Sequence, residues 1–298
     1  MITCNIIGGL GNQLFQIFAT ISYALKHKQV FCFTYKTMTG KRPMYWDNFL
    51  KTLKLFTNAR MLTNVQIVDE HIYYAVVPNN QHNIMLTGYF QNPAYFKEYY
   101  EPICRMIRLD AQKQEYMNGV DFDNSISMHF RQGDYLLLPD HYKILTPDYY
   151  KKSLIHIKER MDKGMDERMD EGMDKGMDEG MDKGMDKGKG IPLISVYYFR
   201  EVIDASAVEL IIKQLKEEVG EGCEFTEVDA EAFDDWQQML IMSCCQHNII
   251  ANSTFSWWGA YFNSNPDKIV CTPAEWFGPK IDIKMEDLLP EEWTKIAI

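Results

Sequence analysis

Ile2-Thr3-Cys4-Asn5-Ile6-Ile7-Gly8-Gly9-Leu10-Gly11-Asn12-Gln13-Leu14-Phe15 opens the chain, and its order decides the fold class. Ile2 to Ile7 is apolar with a β-branched bias, which suits a buried strand. Gly8 to Gly11 is a turn. Asn12 is placed to cap a helix, and Leu14, Phe15, Ile17, Phe18, Ile21 and Leu25 then recur at helical spacing. Val30 to Tyr35 reads as a second strand. Strand, glycine turn, helix and strand in that order open a parallel sheet.

The same alternation continues outward from this start. Ile84 to Phe90 reads as a strand and Tyr95 to Ile107 as a helix, with no regular pattern over residues 40–80. Ile126 to Phe130 begins a new block. A helix starts at Thr146-Pro147-Asp148, with proline in its first turn, and a buried strand follows at Ile194 to Phe199. Helices are expected at Ala205 to Val219, Trp236 to Cys245 and Phe255 to Phe262, and strands at His247 to Ala251 and Ile269 to Thr272. Strand–helix units on both sides of residue 120 predict two α/β halves, residues 1–120 and 121–298.

The 298 residues are 46% hydrophobic, enough for one large core or two modest ones. Lys plus Arg is 31 against 42 Asp plus Glu, a formal charge of -11, which makes the chain a poor default binder of nucleic acid, since phosphate neutralisation needs a basic face. The longest mostly apolar stretch, Leu14 to Leu25, is too short for a membrane span, and no charged leader precedes Lys26. Seven cysteines without a C-x-x-C pair read as buried free thiols of a reducing compartment. A cytoplasmic location is the expectation. From Met161 the chain repeats Met-Asp-x-x seven times. Glycine at nearly every fourth place costs about 1 kcal/mol in a helix, and a period of four drifts from the helical turn. Residues 161–190 are therefore expected to be a surface excursion with a helical start, tolerated between a helix and a strand. A membrane or partner contact through the methionines is the other reading.

Three segments can carry chemistry. Gly8 to Gln13 brings backbone N–H groups to a helix N-terminus, where an anion binds; a positive-φ turn alone explains the same glycines. In His129-Phe130-Arg131-Gln132-Gly133-Asp134-Tyr135, strand alternation puts His129 and Arg131 on one face. The strand ends at a Gly-Asp turn, and the pair suits a diphosphate; an Arg–Asp pair pinning the loop is the alternative. Asn252-Ser253-Thr254-Phe255-Ser256-Trp257-Trp258-Gly259-Ala260 follows a short strand. Its small polar residues either cradle an oxyanion or cap a helix, and its tryptophans suit a core. The first glycine cluster lacks the third glycine of a dinucleotide fingerprint, and the second strand lacks the acid that holds a ribose. No Walker A, G-x-S-x-G or H-E-x-x-H pattern is present.

Together these segments resemble the bacterial α-1,2-fucosyltransferases of glycosyltransferase family 11. Gly8 to Gln16 is similar to that family's N-terminal motif, His129 to Tyr135 to its H-x-R-R-G-D-Y motif, and His247 to Ala260 to its longest motif. Gly88-Tyr89-Phe90-Gln91, Tyr95-Phe96 and the ending Leu289-Pro290-Glu291-Glu292-Trp293 also fit. The resemblance implies a GT-B-like α/β fold, two Rossmann-like halves facing across a cleft. Residues 1–120 would serve the acceptor and 121–298 would bind GDP-fucose. It implies inverting transfer of L-fucose to O2 of a terminal galactose, with no metal and no cofactor beyond the donor substrate.

By the same resemblance, Arg131 would hold the donor's β-phosphate and stabilise the leaving GDP, with His129 beside it. Asn12, Gly9 and Gly11 would face the diphosphate or fucose, and Asn252, Ser253 and Ser256 would hold phosphate or fucose. Asp134 is either the acceptor's base or a residue holding the loop or Arg131. Tyr89 and Gln91 fall in the aromatic stretch expected to meet the acceptor. The motif's second Arg is Gln132 here. The stretch matching the family's guanine-reading acids is Tyr197 to Asp204, where Glu201 keeps one carboxylate and Val202 takes the second acidic position. These departures leave two alternatives open: another GDP-sugar transferase of the same fold, or a catalytically silent glycan- or nucleotide-binding relative. A lipid-linked acceptor would bring peripheral membrane contact, although no basic amphipathic helix supports it.

Overall fold

A computed structural model describes residues 1–76, 82–118, 120–174, 193–281 and 285–298, without the side chains of Asp134 and residues 163–174. Strands β1 (Ile2–Cys4), β2 (Val65–Asp69) and β3 (Asn83–Thr87) form a parallel sheet in the order β1-β3-β2. Helix α1 (Leu10–Lys26) follows the glycine turn. The strand expected over 30–35 is shorter. Phe31 bridges Ile2 at the sheet edge, and then Phe33–Thr34 leaves to pair with Thr57–Asn58. The helix expected over 95–107 also begins later. Pro93–Tyr95 and Lys97–Tyr99 are single 3-10 turns, and α2 covers Tyr100–Ile107. Arg108, at φ +57, separates it from α3 (Leu109–Met117).

The rest of the chain alternates β4 (Ser125–His129), α4 (Pro147–Asp174), β5 (Ile194–Phe199), α5 (Ala205–Val219), β6 (Cys223–Glu227), α6 (Asp235–Cys244), β7 (His247–Ile249), α7 (Thr254–Tyr261), β8 (Val270–Pro273), α8 (Met285–Leu288) and β9 (Thr294–Ile296). All six strands run parallel, in the order β6-β5-β4-β7-β8-β9. Counted within this half, that is 3-2-1-4-5-6, the doubly wound nucleotide-binding order. β4 is buried at every position, as a central parallel strand covered on both faces must be. The topology reverses between β4 and β7, and ligands of such sheets sit beyond the carboxyl ends at that point. Residues 130–135 and 250–254 leave those two strands.

The two halves share a core. Phe15 of α1 lies 4.6 Å from Trp257 of α7 and Phe18 lies 4.7 Å from Trp258, ring centre to ring centre. Both tryptophans are fully buried, which bears out their reading as core, and both indoles are satisfied: Trp258 donates to the Gly11 carbonyl and Trp257 to that of Leu288, each at 2.9 Å.

Helix α4 continues through the first part of the Met-Asp repeat, to Asp174, and residues 175–190 of the expected excursion lie outside the described residues. The cysteines are unpaired and five are buried, with Cys4 and Cys271 pushed up to about 12 by burial, so these thiols stay protonated and inert. No helix among the described residues is long and apolar enough to cross a membrane.

Candidate active site

Two helix N-termini meet at the switch point. Gly9 is the N-cap of α1 and no side chain bonds to the cap. Ser253 caps α7, its Oγ accepting from the Phe255 N–H at 3.3 Å. A Cβ on Gly11 would stand 2.4 Å from the Thr254 carbonyl carbon, so only glycine lets these two helix starts touch. Gly8, at φ +86, is the turn's true positive-φ residue. Asn12 is not the helix cap that its position suggests, because the helix has already begun at Leu10. Its Oδ1 instead accepts from Thr254 Oγ1 and Gln91 Nε2, both at 2.9 Å, tying α1 to α7 and to the loop after β3. The positive ends of two helix dipoles thus converge, an arrangement suited to an anion.

Sheet register places the principal cation beside this meeting point. β4 and β5 pair with His129 opposite Phe199, so Arg131 and Glu201, each two residues further on, emerge side by side. The Arg131 guanidinium binds the Glu201 carboxylate directly and lies over the Tyr135 ring at 5.2 Å. Tyr135 stacks on Tyr142 at 4.0 Å and donates its hydroxyl to the Asn252 carbonyl at 3.1 Å. The backbone N–H groups of Gln132 and Gly133 bind the buried Asp204 carboxylate at 3.1 and 2.7 Å, which fixes the turn after Arg131. The Asp134 side chain lies outside the described residues.

His129 stands beside Arg131 but is not a second cation. Burial, and after it the Arg131 charge, push it down from 6.5 to about 3. A group whose folded pKa is depressed in this way takes up its proton in the unfolded chain first. Its contribution is constant above pH 6.5 and is lost as pH falls from there towards 3, at about 1.4 kcal/mol per pH unit. His247, lowered by burial to about 4, acts in the same direction. Urea unfolding at pH 7.5 and 5.0 should therefore show a clear loss of stability at the lower pH, with a shallower loss in His129→Gln. An unchanged slope in that variant would contradict a neutral His129.

A cleft of about 430 Å³ opens here and both halves line it. From the expected residues it gathers Gly9, Gly11, Asn12, His129, Arg131, Glu201 and Ser253. Asn252 lies behind the wall: it is buried, and its Nδ2 donates to the Lys143 and Trp276 carbonyls at 2.8 Å. Ser256 is likewise buried, with its hydroxyl turned to the Ala251 and Ser253 carbonyls at 3.4 Å. Ser256 thus closes the backbone of the β7–α7 turn, and Asn252 ties that turn to the loops at Lys143 and Trp276. Gln91 reaches the cleft only through Asn12, and Tyr89 is an exposed residue off its lining. Gln132 is buried and is not on the cleft lining.

Sequence reasoning missed Arg42, Tyr45, Arg200 and Asp235, all on the lining. Arg200 was legible, since it directly precedes Glu201 beyond a strand's carboxyl end. Arg42 and Tyr45 sit in the region without a repeating pattern. Tyr45 donates its hydroxyl to Asp235 across the cleft, and burial holds that carboxyl above its ordinary range. Among the described residues, no three His, Cys, Asp or Glu side chains cluster as a metal site.

Residues 210–297 match the model of glycosyl transferase family 11. The chain is 26% identical over 223 residues to an alpha-1,2-colitosyltransferase of Escherichia coli, covering 72% of this chain and 63% of that protein. It is 26% identical over 207 residues to the O-antigen biosynthesis glycosyltransferase WbnK of Escherichia coli, covering 64% of this chain and 55% of that protein. The alignments thus span less than two thirds of these relatives. A solved structure of Arabidopsis thaliana FUT1 with GDP is similar over 90% of this chain and 69% of its own, at 9% identity and a TM-score of 0.45.

Proposed function

We propose that this chain, whose residues 210–297 carry the sequence of family 11 glycosyltransferases, transfers L-fucose from GDP-fucose to O2 of a terminal galactose in a surface glycan or its precursor. The observation that carries the reading is the convergence of Arg131 with the N-termini of α1 and α7 in one cleft between the halves. Breaking the bond from fucose C1 to the β-phosphate oxygen leaves an oxocarbenium-like sugar and an extra charge on GDP. Fixed donors aimed at that charge lower the barrier without having to reorganise. Arg131 is the donor of that charge stabilisation, and backbone N–H groups of the α1 and α7 first turns assist it.

The galactose O2 attacks C1 from the face opposite GDP, so the β-linked donor gives an α-linked product. The electron pair of the broken bond stays on GDP, and the O2 proton passes to a carboxylate. Asp134, in the turn after Arg131, is our candidate for that base; holding the loop or Arg131 is the other role open to it. The reading needs no metal ion, because the cationic work falls to Arg131 and the helix ends. A second reading keeps the fold and changes the sugar: the relative named as a colitosyltransferase favours GDP-colitose, whose sugar is fucose without its 3-hydroxyl.

Purified protein with a galactose-terminated oligosaccharide and either GDP-sugar, in the presence of EDTA, tests all of this. Fucose attached at O2, at a rate EDTA does not change, is the expected product. Colitose transfer alone would move the donor assignment to the second reading. GDP binding with no transfer from either donor would make the chain a silent binding protein.

A further inference from the structure

The cleft's charge is more closely balanced than a diphosphate site requires. Its Arg, Asp and Glu lining consists of Arg42, Arg131 and Arg200 against Glu201 and Asp235. Glu201 is already bound to Arg131, and Glu227 to Arg200, so neither pair brings net charge to an incoming anion. A nucleotide-sugar diphosphate carries two negative charges. His129 stays neutral, and Gln132 is buried off the lining. A diphosphate here must therefore be held by ordered hydrogen-bond donors and not by surplus charge.

Arg200 is also built as a fixed contact. It follows the carboxyl end of β5, which adjoins β4 and hence the strand that delivers Arg131. Its side chain is only 14% exposed, so its long stem is already ordered. One guanidinium nitrogen holds Glu227 at 2.6 Å and another lies 3.4 Å from the Glu201 carbonyl. Glu227 is on β6 and off the cleft lining, so it anchors Arg200 from behind. The Nε–H is buried without a hydrogen-bond partner among the described residues, and a buried donor in that state favours any arrangement that supplies an acceptor.

We infer that Arg200 is a second cationic contact to the β-phosphate of the nucleotide-sugar donor, working beside Arg131. The inference rests on the GDP-sugar reading above. Arg131 carries the leaving-group charge, while Arg200, already oriented by Glu227, offers a further ordered guanidinium to the phosphate oxygens. The planar fork suits this task because it binds Glu227 and a phosphate oxygen at once.

Calorimetric titration of the full chain with GDP and with GMP separates the possibilities. For Arg200→Gln, GDP affinity should fall about 10- to 100-fold, the size of a lost charge-assisted contact, while GMP affinity should change much less. Arg200→Lys keeps the charge and should recover part of the GDP affinity. It also guards against a folding defect, which thermal unfolding of both variants would reveal. Unchanged GDP affinity in Arg200→Gln overturns the inference and leaves the function standing. Equal losses for GDP and GMP also overturn it, because they place Arg200 at the α-phosphate, at the nucleoside or in the scaffold. If the unaltered chain binds neither nucleotide, the donor reading itself fails and the inference falls with it.

Discussion

Replacing Arg131 with alanine should lower kcat by about 100-fold or more, with the fold intact. Loss of one preorganised donor to a developing anion has that effect in comparable sites. The geometry here adds a second penalty. Arg131 holds Glu201, which is itself on the cleft lining, so the truncation leaves a bare carboxylate where a diphosphate should enter. Donor affinity should therefore fall together with turnover. The double variant Arg131→Ala, Glu201→Gln separates the two effects. Removing the Glu201 charge should restore much of the GDP affinity but little of kcat, because the leaving group still lacks its donor. Single-turnover rates and GDP titrations on both variants make the comparison. A single variant that retains more than about a tenth of the wild-type kcat would end the leaving-group role. A double variant close to wild type would show that the damage came from Glu201 alone.

The parts of the fold that alternate cleanly were legible in the sequence. Ile194–Phe199 and Ala205–Val219 stand where periodicity puts them, because a buried parallel strand and an amphipathic helix each have a distinct spacing. β2, β6 and β9 were not foreseen. β6 alternates between half-buried and exposed positions at the sheet edge, and β9 is three residues long, so neither offers an apolar run. The site divided along similar lines. Arg131, His129 and Glu201 lie just before or beyond strand ends, and strand order alone brings them together. Asn252 and Ser256 are the same kinds of residue in an equally suggestive segment, yet their side chains satisfy buried carbonyls. Composition cannot tell a small polar residue that binds a ligand from one that closes a turn. The Tyr45–Asp235 contact joins residues far apart in sequence, and no local pattern encodes it.

Gly11 and Gly9 look alike in sequence, but substitution should affect them in opposite ways. An alanine Cβ at Gly11 would lie 2.4 Å from the Thr254 carbonyl carbon and 2.7 Å from the Phe255 nitrogen. These are backbone atoms at the start of α7, so no rotamer change can relieve the overlap. The helices must separate, and the aromatic packing of Phe15 and Phe18 on Trp257 and Trp258 must loosen with them. Overpacking of this kind costs about 1–3 kcal/mol, and the shared core of the two halves places the cost at their junction. Gly9 sits at φ −76, and its Cβ would meet nothing within 4 Å. Gly9→Ala should leave stability within about 1 kcal/mol of the parent, because alanine adopts that backbone freely and restricts the unfolded chain. Gly11→Ala should lower Tm by several degrees. It should also weaken GDP binding, because the two helix N-termini that face the anion no longer meet. Thermal unfolding and GDP titration of the pair test this directly. Equal Tm values for the two variants would mean that the α1–α7 junction yields without cost, and the anion site would then owe little to the touching helix ends.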